Sequence, residues 1–209
     1  MTRSGDFIRT FSGIRFWPLD PLPEEVSPED IAHALALKVR WQGHCKHFYS
    51  VGMHSLRVAR VAGHLAFKEG MRVMPTYAYG LLHDAAEAYL PDVPTPVKPF
   101  IAEWKSIEGR VESAILTHFN LPPMPPEIKA MVKRADRILL KIESTELFDN
   151  NGDADWPSLE NIEVTNELRA SAEVHSRTIE GTEYALADEL KLLKYILSEK
   201  YENSSIPFA

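Results

Sequence analysis

Apolar residues recur at helical spacing along almost the whole chain, and no convincing run alternates as a half-buried strand does. That periodicity constrains the fold more than any other feature. It predicts an all-α protein: a single helical core with a packed amino-terminal arm and a carboxy-terminal helix, spanning residues 1–209 as one domain. Ser27-Pro28-Glu29-Asp30 marks a helix start, with Ser27 as N-cap, Pro28 at the first helical position and Asp30 where a reciprocal capping residue would sit. A second helix is expected from about Ser50 to Gly70, with Val51, Val58, Val61, Ala62 and Leu65 as its apolar stripe. A third is expected from Thr76 to Leu90. Further helices are expected from about Phe100 to Phe119 (Ile107, Val111, Ala114 and Ile115 inward) and from about Pro126 to Phe148 (Ile128, Met131, Val132, Ala135, Leu139 and Ile142 inward). A last helix spans about Thr182 to Lys200, with Leu186, Leu190, Leu193 and Ile196 inward. Residues 11–26, aromatic and proline-rich, read as an ordered arm. DNNGDADWP, after Phe148, reads as a solvated turn and not a calcium loop: Gly152 follows Asp149 too early, and no glutamate closes the spacing.

Three of these helices carry ionisable residues where apolar ones belong. His54 lies on its stripe four residues before Val58, and Asp136 sits among Ala135, Leu139 and Ile142. His83-Asp84 interrupts the otherwise apolar TYAYGLLHDAAEAYL. A buried, unpaired carboxylate costs several kcal/mol, so an inward aspartate calls for a partner. Each position has a simpler explanation alone: a satisfied core histidine, or a helix-capping His83 with Asp84 meeting a lysine. One divalent metal bound by His54, His83, Asp84 and Asp136 explains all of them together. Mixed imidazole and carboxylate donors suit Mn, Fe, Co, Ni or Zn alike. Such an ion polarises a phosphoryl oxygen and lowers the pKa of a bound water, for zinc to roughly 7 from 15.7 in bulk. Glu87, four residues after His83 and three after Asp84, is expected on the same helix face as a general acid or base.

Composition narrows the functional classes. A net charge of −7 disfavours nucleic-acid binding through bulk charge. No stretch approaches 18 apolar residues, so no membrane span is expected. MTRSGDFIRTF has no apolar core of a secretory signal, and the single Cys45 excludes an internal disulfide. A cytoplasmic location is expected from both.

With these residues in place, the chain resembles the HD-domain phosphohydrolases, whose signature is H…HD…D on a helical core. His54, His83-Asp84 and Asp136 match it in order and approximate spacing. Within that superfamily, HDAAEAYLPDVPTPVK is similar to the HD helix and following loop of bacterial 5′-deoxynucleotidases, HDASE…GDLPTPVK. The resemblance implies a catalytic role for Glu87, a sugar-contacting catalytic role for Asp92, nucleotide binding by Arg40 and a place near the base for Trp41. Leu82 departs from it, because the nucleotidases often carry a second histidine there. The signature covers about residues 40–150. The amino-terminal arm and the segment after Phe148 look like a related branch that includes phage deoxyadenosine triphosphate triphosphohydrolases.

Lys98, after the proline-stiffened turn, is a candidate phosphate contact or a plain surface lysine. His44, Cys45 and His47 fit no zinc spacing. They read as a loop at a pocket mouth, where a histidine meets phosphate, or as an exposed polar loop. The expectation is a metal-dependent deoxyribonucleoside 5′-monophosphate phosphatase, with a dNTP triphosphohydrolase as the alternative and a weakly catalytic nucleotide sensor as the alternative of another class. The expected partner is a small nucleotide, with no nucleic acid or membrane. A homodimer is an open expectation.

Overall fold

The computed structural model describes residues 3, 5–149, 157–174 and 178–203. Among them the protein is mostly helical, as the apolar periodicity predicts. The exception is a small hairpin in the amino-terminal arm: β1 (Ile8–Arg9) pairs antiparallel with β2 (Arg15–Phe16). Strands of two residues are too short for alternation to show in a sequence. The expected turn at 149–157 lies largely outside the described residues.

The chain divides into two compact units. The first comprises residues 1–35, 85–123 and 183–209. Here α1 (Pro28–Leu37) starts where Ser27 predicts, and the Asp30 amide donates to the Ser27 hydroxyl over 3.4 Å. Asp30 does not act as the reciprocal cap, since the Ser27 amide donates to Tyr89 Oη over 3.2 Å instead. Its buried carboxylate accepts from the Ser12 amide (2.6 Å) and the Ser12 hydroxyl (2.8 Å), which ties the hairpin to α1. Phe16 is fully buried and stacks on Tyr89 with ring centroids 3.9 Å apart. Phe11 likewise stacks on His33 of α1 with centroids 3.7 Å apart, so the expected arm is anchored by polar and aromatic contacts together. A 3-10 turn over Ala85–Ala88 and α4 (Trp104–His118) pack together in this unit, and it holds most of α7 (Ile179–Asn203), whose Leu186, Leu190 and Leu193 are buried.

The second unit comprises residues 36–84 and 124–182. At its centre is α2 (Val51–Lys68), started by the Ser50 hydroxyl accepting from the Met53 amide. The predicted stripe of α2 is buried, yet so are Met53, Ser55, Leu56, Arg57 and Ala59 on other faces. The helix is enclosed rather than amphipathic. It packs against α3 (Val73–Leu82) and α5 (Pro126–Glu146), with α6 (Asn166–Ser171) also touching it. All six predicted stripe residues of α5 are buried.

α2 and α3 meet closely because Gly80 has no side chain. A Cβ there would lie 3.0 Å from the Ala59 Cα and 3.3 Å from the Ala62 Cβ. Backbone cannot step aside as a flexible side chain can. Gly80→Ala is therefore expected to destabilise the protein by about 1–3 kcal/mol. Urea unfolding at unchanged slope reads this as a lower midpoint, and an unchanged midpoint would show that α3 can slide away freely.

The third helix is shorter than its sequence suggests. It ends at Leu82 instead of running to Leu90, and His83 sits at its C-cap. Glu87 lies on the following 3-10 turn, so its expected place on an α-helical face shared with His83 and Asp84 is corrected. No helix among the described residues is long and apolar enough to cross a membrane.

Candidate metal centre

The second unit gathers His54, His83, Asp84 and Asp136 from α2, the end of α3 and α5. His54 projects from α2 and is fully buried. Its Nε2 lies 3.3 Å from His83 Nε2, 3.2 Å from Asp136 Oδ1 and 3.7 Å from Asp84 Oδ2. His83 Nε2 is 3.1 Å from Asp84 Oδ2. One donor atom each from His54, His83 and Asp84 falls within a 4.8 Å group. Asp136 joins through His54, with its side chain 37% exposed.

The far sides of both imidazoles are already committed. His54 Nδ1 lies 2.7 Å from Glu143 Oε1, and His83 Nδ1 lies 2.8 Å from the Gly80 carbonyl oxygen. Both partners only accept, so each Nδ1 carries the hydrogen. That leaves two imidazole lone pairs and two carboxylates converging on one point. Acceptors alone do not satisfy one another, whereas a cation satisfies all four. The donor set therefore fits a divalent metal. A proton is the smaller stand-in. Burial alone would lower the pKa of His83, but the Asp84 carboxylate outweighs it and pushes the imidazole up to about 9. Burial would raise Asp84, yet His83, with His54 and Arg40, holds its carboxyl well below the usual range.

Arg40 and Trp41 enter from the loop before α2. The Arg40 amide donates to the Tyr49 carbonyl over 2.9 Å, and the Val51 amide donates to the Lys38 carbonyl over 2.9 Å. These bonds pin the loop to the start of α2. Trp41, Gln42 and Gly43 all adopt left-handed backbone, with φ of 58°, 52° and 78°. Such a conformation costs roughly 1–2 kcal/mol at each of the two non-glycine residues. That strain sits beside the guanidinium whose Nη1 is 3.8 Å from Asp84 Oδ2 and whose Nη2 is 3.9 Å from Asp136 Oδ1.

Sequence reasoning missed Glu143. It is fully buried on α5, seven residues or two turns after Asp136, and accepts four hydrogen bonds. Tyr49 Oη (2.8 Å) and His54 Nδ1 (2.7 Å) donate to Oε1, while Arg40 Nε (3.0 Å) and Trp41 Nε1 (3.2 Å) donate to Oε2. Burial would raise its pKa; Arg40 and then His54 outweigh that and hold the carboxyl well below the usual range. The detectable signal was its register: it shares the face of Asp136. Tyr49 also accepts from Arg57 Nη1 over 3.2 Å and was likewise missed.

The remaining expected residues lie elsewhere. Glu87 is buried, at 7% exposure, and Asp92 is half-buried; both belong to the first unit. Lys98, in that unit too, pairs with Glu108 over 2.8 Å. His44 and His47 are exposed, and Cys45 packs beside Tyr49, Met53 and Leu147. His47 lines a cavity of about 680 Å³ with Tyr49, Arg57, Glu146 and Arg169, a lining that includes none of the four clustered His and Asp residues.

Comparison with known proteins agrees with this arrangement. The HD domain family profile matches residues 51–140, a span that contains His54, His83, Asp84 and Asp136. The chain is 34% identical over 160 residues to the uncharacterized protein YfdR of Escherichia coli, covering 76% of this chain and 82% of YfdR. It is 36% identical over 143 residues to an uncharacterized protein of Rhodobacter capsulatus, covering 66% of this chain and 71% of that protein. HD-domain proteins are metal-dependent hydrolases, and the group formed by His54, His83 and Asp84 is compatible with a divalent ion. By profile, by relatedness and by the cluster its helices build, the chain belongs to the HD-domain phosphohydrolase superfamily.

Proposed function

We propose that this protein hydrolyses the phosphoester of deoxyribonucleotides, with 5′-monophosphates favoured over triphosphates. One observation carries the metal-dependent part: two imidazole Nε2 atoms 3.3 Å apart, each with Nδ1 committed to an acceptor, flanked by two carboxylates. His54, His83, Asp84 and Asp136 would hold the ion, which supplies Lewis-acid polarisation of a phosphoryl oxygen. Arg40 is positioned to take the phosphate. Its Nε is held by Glu143, while Nη1 and Nη2 stand only loosely against Asp84 and Asp136, so both remain available to an anion. Trp41, held through its indole nitrogen, offers a face for the base. Glu87 as general acid or base, Asp92 as acceptor for the sugar 3′-hydroxyl and Lys98 as phosphate contact rest on the similarity of HDAAEAYLPDVPTPVK to the deoxynucleotidases. The same similarity supports the monophosphate. The amino-terminal arm supports the triphosphate reading, because extra aromatic and polar surface suits a longer ligand.

The substrate test is a panel of dNMPs, NMPs and dNTPs given to metal-loaded protein, with products identified. Release of inorganic phosphate from dNMPs, with NMPs poorly used, is expected. Equal turnover of AMP and dAMP, or activity confined to non-nucleotide phosphoesters, would overturn the assignment; release of triphosphate from dNTPs would select the alternative.

Proton release gives a second check. A ligand imidazole must be neutral, whereas His83 in the free protein is pushed up to about 9 and is protonated at neutral pH. Cobalt binding is then expected to release about one proton, with affinity rising roughly tenfold per pH unit below about 9 and levelling above it. Calorimetry in buffers of differing ionisation enthalpy counts the proton. An affinity independent of pH between 6.5 and 8.5 would contradict a His83 ligand.

A further inference from the structure

We propose that Glu143 is a positioning residue that couples the metal centre to the Arg40–Trp41 loop, so that binding an ion at His54 sets the geometry of the substrate-facing side chains. The proposal rests on His54 holding the metal and on Arg40 and Trp41 serving the substrate, as argued above. Glu143 is fully buried and splits its two oxygens between two functions. Oε1 takes His54 Nδ1 and Tyr49 Oη; Oε2 takes Arg40 Nε and Trp41 Nε1.

Four donors on one carboxylate are not independent. A cation held at His54 Nε2 would draw electron density through the ring and make Nδ1–H a stronger donor to Oε1. The carboxylate is rigid and planar, so Oε2 moves with Oε1. Arg40 and Trp41, carried on a left-handed turn that is itself strained, follow it. An uncharged isostere cannot do this. An amide has one oxygen and one NH₂ group. Whichever way it is placed, N–H groups face donors on one side. Either His54 loses the acceptor that fixes its tautomer, or Arg40 and Trp41 lose theirs.

The test uses zinc alone, which is d¹⁰ and does not quench or broaden a tryptophan signal. The protein has four tryptophans, so its indole N–H resonances are few, and the Trp41→Phe protein identifies the one that reports on Glu143. In the wild type, zinc is expected to shift the Trp41 resonance, although Trp41 is not a proposed ligand. In Glu143→Gln, zinc affinity is expected to fall about 10–100-fold, the usual cost of losing a partner to a ligand histidine, and the Trp41 resonance is expected to stay put at saturating zinc. Glu143→Asp keeps the charge but is one methylene too short to serve both sides, and the same loss of response is expected. Tyr49→Phe removes one of the four bonds without cutting the line from His54 to Trp41, so its zinc response should survive. The Trp17 resonance monitors folding.

A wild-type Trp41 resonance indifferent to bound zinc overturns the proposal, whether or not the variants fold. So does a Glu143→Gln protein with zinc affinity within threefold of wild type and an unchanged Trp41 response. No nucleotide enters the experiment, so a failed substrate assignment leaves this result intact, and failure here leaves the hydrolysis assay unaffected.

Discussion

Asp84→Ala is expected to leave the purified protein with less than a tenth of an equivalent of metal and to lower phosphoester hydrolysis by more than about 10³-fold, since a metal supplies several kcal/mol of transition-state stabilisation. Asp84 is the carboxylate closest to His83, at 3.1 Å, and it also faces His54 and Arg40. Without it, two imidazoles and Asp136 remain, and His83 loses the charge that keeps it protonated in the free state. Elemental analysis reads the metal, and phosphate release reads the turnover. A variant with full stoichiometry and activity within tenfold of wild type would place the ion, or the chemistry, away from this cluster.

Glu87→Ala separates binding from turnover. The variant is expected to keep one equivalent of metal and to lose about 10²–10⁴-fold in kcat, roughly 3–5 kcal/mol, the range of a positioned acid or base. Glu87 is buried on a tight turn three residues beyond Asp84, so removal of its side chain needs a control. Glu87→Gln preserves volume and is expected to lose a similar factor with an unchanged unfolding midpoint. Near-wild-type kcat in metal-loaded Glu87→Ala would remove the residue from the reaction.

The residues that were legible in the sequence share a physical cause. α5 carries its buried side chains at a strict helical period, so its stripe and the anomaly at Asp136 could be read together. The same holds for His54 on α2, although enclosure of that helix on nearly every side went unseen, because small residues such as Ala59 and Gly63 fit either a core or a surface. The end of α3 was not legible. Ala85, Ala86 and Ala88 favour helix, and nothing local stops it. The break arises where His83 turns its Nδ1–H back onto the Gly80 carbonyl, a contact that serves the imidazole cluster. Glu143 was hidden for a different reason. A glutamate beside an apolar stripe is usually solvated, and its partners Arg40, Trp41, Tyr49 and His54 lie between 89 and 103 positions away in the chain. No local pattern carries such a pairing.

Gly80 does two jobs at one position. Its missing side chain lets α3 rest on Ala59, and its carbonyl aims the ring of His83. The gap between the two imidazoles is therefore gauged by a residue that touches no ion. A single methyl at position 80 would meet the Ala59 backbone and so act on the spacing of the cluster without altering any donor atom.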